Sequence, residues 1–108
     1  MIQQFIHYGI HFIVPLCVAL FFYKPRWKVA FLIMISAMLI DLDHLIAKPI
    51  FDANRCSINF HPLHSYLAIG IYFVLLLPTK TRVLGIGLLI HILADWVDCL
   101  FNVAIHLP

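Results

Sequence analysis

Four apolar runs, Ile2–Tyr23, Trp27–Ile46, Pro62–Leu77 and Val83–Leu107, take up most of a chain of 108 residues. An α-helix needs roughly 20 apolar residues, at about 1.5 Å rise each, to cross the hydrocarbon core of a bilayer. Three of the runs reach that length and the third run falls short of it. Lys and Arg lie between the runs or at their edges. With 64% hydrophobic and only 11% charged residues, and a mean hydropathy of +1.02, there is too little charge to cover a soluble domain. The expected solvent is therefore lipid. The fold class that follows is all-α: an integral membrane bundle of four transmembrane helices in a single domain, with helices at about 2–23, 27–46, 61–78 and 83–107 of residues 1–108. The third helix is expected to begin at a buried or re-entrant end near Phe60–Pro62, because non-helical backbone at membrane depth must sit inside protein.

No Lys or Arg precedes the first run and no small-residue cleavage site closes it, so it reads as a retained helix rather than a signal peptide. Positive residues are retained on the cytoplasmic side of short loops. Lys24, Arg26 and Lys28 follow helix one, and Lys80 and Arg82 precede helix four, while the opposite side carries Lys48 and Arg55. Five against two places both termini outside the cytoplasm. A net charge of +2, held in loops, gives no surface for nucleic acid. The three cysteines lack zinc-finger spacing. Cys17 reads as inert packing. Cys56 and Cys99 fall on one side of the membrane, and spacing alone favours two free thiols over a bridge.

The vertical placement of the polar residues carries the functional signal. His7 and His11 lie in the first half of helix one, and Asp41, Asp43 and His44 close helix two. His61 and His64 open helix three, and His91, Asp95 and Asp98 occupy the second half of helix four. Since successive helices alternate direction, all of these fall in the same half of the bilayer. Spacings of three and four put residues on one helix face. They group Gln4 with His7 and His11, and His91 with Asp95, Asp98, Asn102 and His106. Asp43 departs from the face of Asp41, as the end of a helix or a second-sphere group would.

Ionisable groups within a membrane cost several kcal/mol each and act in pairs or on ions. A single His–Asp pair reads as polar glue between helices. The whole converging set reads better as metal ligands: His7, His11, Asp41, His44, His61, His64, His91 and Asp95. Imidazole with carboxylate suits Zn best, with Fe or Mn as alternatives. The donors exceed one tetrahedral ion, so one or two divalent ions are expected, two being bridged by an aspartate such as Asp41. An open coordination position acidifies water near neutral pH. The chain contains no glutamate, so a general base must be aspartate, histidine or the ion's own water. Ser65 reads as a structural hydrogen bonder.

The order Asp41-x-Asp43-His44, then His61 and His64-Ser65, then His91 with Asp95, resembles a bacterial family of inner-membrane proteins described as metal-dependent hydrolases, some of them LexA-binding. The resemblance covers about residues 38–98. It implies a multi-pass protein of the bacterial inner membrane, with Asp41, Asp43, His44, His61, His64, His91 and Asp95 as the metal and catalytic set. Two features depart from the family: Pro62 follows the first histidine where the family has Arg, and the His61–His64 gap is short. A small sister family is the alternative. The LexA link does not carry over, because no basic surface of useful size is present.

The expected function is a metal-dependent hydrolase acting on a lipid or lipid-linked substrate from the outer leaflet, with Asp41, Asp43 and His64 catalytic and Arg55 meeting a phosphate headgroup. A di-iron oxidative enzyme is the second reading, since His7-x-x-x-His11 and His61-x-x-His64 faintly resemble desaturase histidine boxes. A non-catalytic metal- or proton-handling protein is the third. The apolar inner half of every helix opposes that reading unless a homo-oligomer builds the path.

Overall fold

The computed structural model describes residues 2–46, 56, 58 and 61–105, and no strand occurs among the described residues. Helix α1 is unbroken over Ile2–Phe22. Its buried stripe steps by four residues through His11, Pro15 and Ala19, with Gln3 and His7 half-buried at its start. Pro15 has no N–H, so the His11 carbonyl loses its usual helical donor, yet the fully buried proline ring keeps its place in the stripe.

A 3-10 turn at Lys24–Arg26, which includes Pro25, leads into α2, Trp27–Ile35. At Ser36 the winding changes, and Ser36–Ile46 continues as a 3-10 helix for 11 residues, far beyond the usual three or four. The Ser36 hydroxyl donates to the Ile33 carbonyl at the change-over, a local bond that competes with regular α-winding. Nine residues at about 1.5 Å and eleven at about 2.0 Å give this combined rod a length of about 35 Å.

The chain re-enters as a 3-10 turn at Pro62–His64, and Ser65 caps α3, Tyr66–Val74. Ser65 Oγ accepts from the Ala68 amide at 3.2 Å and donates to the Pro62 carbonyl at 2.8 Å, which is the structural role its position predicts. The carbonyls that follow α3 are satisfied from the next helix. Thr81 Oγ1 donates to Leu75, and Arg82 donates to Leu76 and Leu77. Helix α4, Thr79–Ile105, packs on α1, α2, α3 and the 3-10 segment.

Three expectations change here. The second helix is α-helical for less than half its length, the third is a nine-residue helix behind a 3-10 turn, and the fourth begins four residues early because Thr79–Arg82 wind as its first turn. Two helical stretches, Ile2–Phe22 and Thr79–Asn102, are long and apolar enough to cross a membrane.

Apolar side chains fill the space between helices in two clusters. Ala19, Ala30, Met34 and Ile90 join α1, α2 and α4; Ala37, Ile40, Ala68, Tyr72, Leu88 and Ile92 join the 3-10 segment, α3 and α4. Gly87 makes the closest approach, since a Cβ there would lie 2.6 Å from Met34 Cα. At Gly85 a Cβ would lie 3.1 Å from the Tyr72 carbonyl oxygen. Gly70 has nothing within 4 Å of a Cβ. Cys17, expected to be packed, is exposed. Histidines share the core with these apolar residues, while large apolar side chains cover the outside. His61, His64 and His91 are among the most buried side chains, whereas Phe5, Phe21, Phe22 and Leu67 are each more than 70% exposed.

Candidate metal centre

Three elements deliver four side chains to one level of the bundle. Asp41 comes from the 3-10 segment, His64 from the turn before α3, and His91 and Asp95 from successive turns of α4. His64 Nε2 lies 2.9 Å from Asp95 Oδ2, 3.2 Å from His91 Nε2 and 3.3 Å from Asp41 Oδ1. His91 Nε2 lies 3.0 Å from Asp41 Oδ1 and 3.3 Å from Asp95 Oδ2. These are five of the six edges of a tetrahedron whose corners are the four donor atoms. A regular tetrahedron with corners about 2.0–2.1 Å from its centre, the usual Zn–N and Zn–O distances, has edges of about 3.3–3.4 Å. The observed edges lie within a few tenths of an ångström of that.

Protons alone serve this geometry poorly. Each Nε2 carries at most one proton, so two N–H groups would have to be shared among the five short contacts. Asp95 Oδ2 accepts no aligned hydrogen bond among the described residues despite its short contact to His64. A cation at the centre satisfies all four donors at once, so the residues fit a divalent ion.

A second group shares Asp95. His7 and His11, one turn apart on α1, bring their Nε2 atoms within 3.1 Å of each other, and Asp95 Oδ1 lies 4.0 Å from His7 Nε2. His7, His11 and Asp95 form a second cluster able to hold an ion. The His11 ring stacks edge-on to His91 with centroids 4.4 Å apart, which joins the two groups.

The structure thus brings together His7, His11, Asp41, His64, His91 and Asp95 from the residues singled out by sequence. His61 is buried with its ring 5.7 Å from that of His64, outside both donor clusters of the described residues. The side chains of Asp43 and His44, the whole of Lys48 and Arg55, and His106 lie outside the described residues.

Three supporting features were not expected. Gln3, rather than Gln4, continues the His7–His11 face. Its Nε2 donates to Asp98 Oδ1 at 2.7 Å and to Asn102 Oδ1 at 3.1 Å, tying α1 to α4 beyond the metal-ligand level. Gln4 instead lines a groove on the outer face of α1 with Phe5, Tyr8, Gly9, Phe12 and Ile13. The signal for Gln3 is present in its spacing of four from His7. Tyr72 Oη donates to the Leu63 carbonyl at 2.6 Å and fixes the turn that carries His64. Nothing in a mostly apolar helix marks that tyrosine beforehand. Cys56 and Cys99, expected as free thiols, form a disulfide with Cα atoms 5.0 Å apart. Cys99 lies one turn beyond Asp95 on α4, so the bond ties Cys56 to α4 near the site.

No curated protein matches this chain, and no solved structure matches it. A family described as being of unknown function, DUF6122, matches residues 1–102, and the chain belongs to that family.

Proposed function

We propose that this protein is a membrane-embedded, metal-dependent hydrolase acting on a lipid or lipid-linked substrate. The observation that carries the reading is the tetrahedral convergence of Asp41 Oδ1, His64 Nε2, His91 Nε2 and Asp95 Oδ2. Three of these corners belong to side chains that are 0%, 1% and 9% exposed, whereas the Asp41 side chain is 37% exposed. Two imidazoles and a buried carboxylate would hold the ion throughout, and Asp41, the exposed fourth corner, would yield its place to water and substrate. This is the three-ligand, one-open-position arrangement of catalytic zinc sites rather than the closed arrangement of structural ones. An ion held there would supply Lewis acidity. Asp41 would be placed to orient a water and take its proton, the role left to an aspartate in a chain without glutamate.

The membrane assignment rests on the large apolar side chains that cover the outside, on the two long apolar helices and on the length of about 35 Å reached by Trp27–Ile46 through its mixed winding. In that assignment the four rods form one bundle of the bacterial inner membrane, with the site at the outer end. The Cys56–Cys99 disulfide favours the same orientation as the loop charges, because disulfides persist on the oxidising side. The resemblance of Asp41-x-Asp43-His44 and the later histidines to the inner-membrane hydrolases supports the same chemistry.

The test is release of water-soluble product from defined phospholipids by detergent-purified protein loaded with Zn. His64→Ala and His91→Ala are expected to lose the ion of the tetrahedral site and the activity together. Asp41→Asn is expected to keep the metal and lose at least about 100-fold in rate, the usual worth of a general base. Activity unchanged by all three would sink the hydrolase assignment. A bound iron with an oxygen-sensitive optical spectrum would replace it with the oxidative reading.

A further inference from the structure

Asp95 presents one carboxylate oxygen to each of two donor groups. Oδ2 completes the tetrahedron with Asp41, His64 and His91, while Oδ1 faces His7, with His11 alongside. A carboxylate used in this way is a bridging ligand, and ions bridged by one lie about 3.5–4 Å apart. We infer that the centre is dinuclear: a second divalent ion is held by His7 Nε2, His11 Nε2 and Asp95 Oδ1, with Asp95 rather than Asp41 as the bridge. The inference rests on the metal-binding reading above and extends it by one ion.

The two halves of this centre differ in character. The Asp41–His64–His91–Asp95 group draws donors from three elements and surrounds its ion. The His7–His11–Asp95 group supplies three donors, two of them one helical turn apart on α1, and leaves the remaining coordination positions to water or substrate. His11 is 3% exposed and Asp95 7%, so the inner side of this second position is closed. His7, with a side chain 21% exposed, marks its open side. A phosphate ester of a lipid headgroup offers two oxygens at a spacing that suits two such ions, so phosphoesters are the substrate class that fits this pair.

The bland alternative is a hydrogen bond between His7 and His11, one imidazole donating to the other across 3.1 Å. It explains the two histidines but not why the free oxygen of Asp95 is turned towards them.

The experiment uses the full chain in detergent, stripped by chelation and reloaded with Mn²⁺ alone, and read by elemental analysis and electron paramagnetic resonance. Two equivalents of manganese with an exchange-coupled spectrum support the bridged pair, and this needs no variant. His11→Gln is then expected to bind one equivalent and give the spectrum of an isolated ion. One equivalent and an uncoupled spectrum in the wild type would overturn the second ion while leaving the first site standing. Two equivalents retained in both His7→Gln and His11→Gln would overturn its location. No bound manganese, and none of zinc either, would overturn this inference and the metal-dependent reading together.

Discussion

Around Gly87 the helices meet backbone to backbone, with Met34 Cα in the place a side chain would take. Around Asp95 they meet through nitrogen and oxygen atoms that repel one another unless protons or an ion lie between them. Both regions lie on α4, and both join it to the rod formed by α2 and its 3-10 continuation. The first is a contact of shape, complete as soon as the chain folds. The second is a contact of charge, which on the proposed reading an ion completes. The same helix would then carry a half that folds itself and a half that waits for a partner, and changes to the two halves should respond differently to a chelator.

The largest effect is expected from Gly87→Leu. A side chain there must displace backbone rather than a flexible tip, and separating α2 from α4 should cost more than about 3 kcal/mol. The loss of folded, monodisperse protein should be the same with metal or with chelator. Removing metal from the wild type is expected to lower stability by about 4 kcal/mol when the free ion had stood at a thousand times its Kd. Thermal unfolding of His91→Ala should respond less to chelator than that of the wild type. A chelator response as large in His91→Ala as in the wild type would break the comparison. Replacing Cys56 and Cys99 by serine opens a loop with a sequence separation of 43 residues and should cost about 2–4 kcal/mol by denaturation with or without metal. Tyr72→Phe leaves the Leu63 carbonyl without its hydroxyl donor. It should cost about 1 kcal/mol and weaken metal binding through the His64 turn, as a metal titration would show. The smallest effect is Gly70→Ala, which meets open space in a helix and should stabilise by about 0.5 kcal/mol. Gly87 and Gly70 together then separate packing from propensity within one residue type.

Much of this arrangement is legible in the sequence because it depends on order and direction alone. His7, His11, Asp41, His64, His91 and Asp95 occupy the same end of alternating helices, so antiparallel packing is enough to gather them. Spacing does not say which oxygen of which aspartate lies between the two groups, and it favours Asp41 as the bridge only because Asp41 begins a recognisable element. Asp95 takes that position because α4 touches every other helix and carries it to the middle. The winding of Ser36–Ile46 is equally hidden, since its residues read as the end of an ordinary apolar helix. Gln3 is missed in favour of Gln4 because spacings of three and of four are both allowed, and only the neighbouring Asp98 and Asn102 decide between them. The disulfide is missed because cysteine spacing carries no information about the path of the segment between helices.

The 3-10 winding of Ser36–Ile46 also fixes an angle. A 3-10 helix turns about 120° per residue where an α-helix turns about 100°, so over the five steps from Ser36 to Asp41 the two differ by about 100°. The whole segment is also about 5.5 Å longer than its α-helical equivalent. Asp41 faces His64 and His91 only in the tighter winding; rewound as an α-helix, the same residue would look about a quarter-turn away. The pitch of one rod therefore acts as the aim of its carboxylate, and whatever ion Asp41 holds becomes a torsional stop on the backbone behind it.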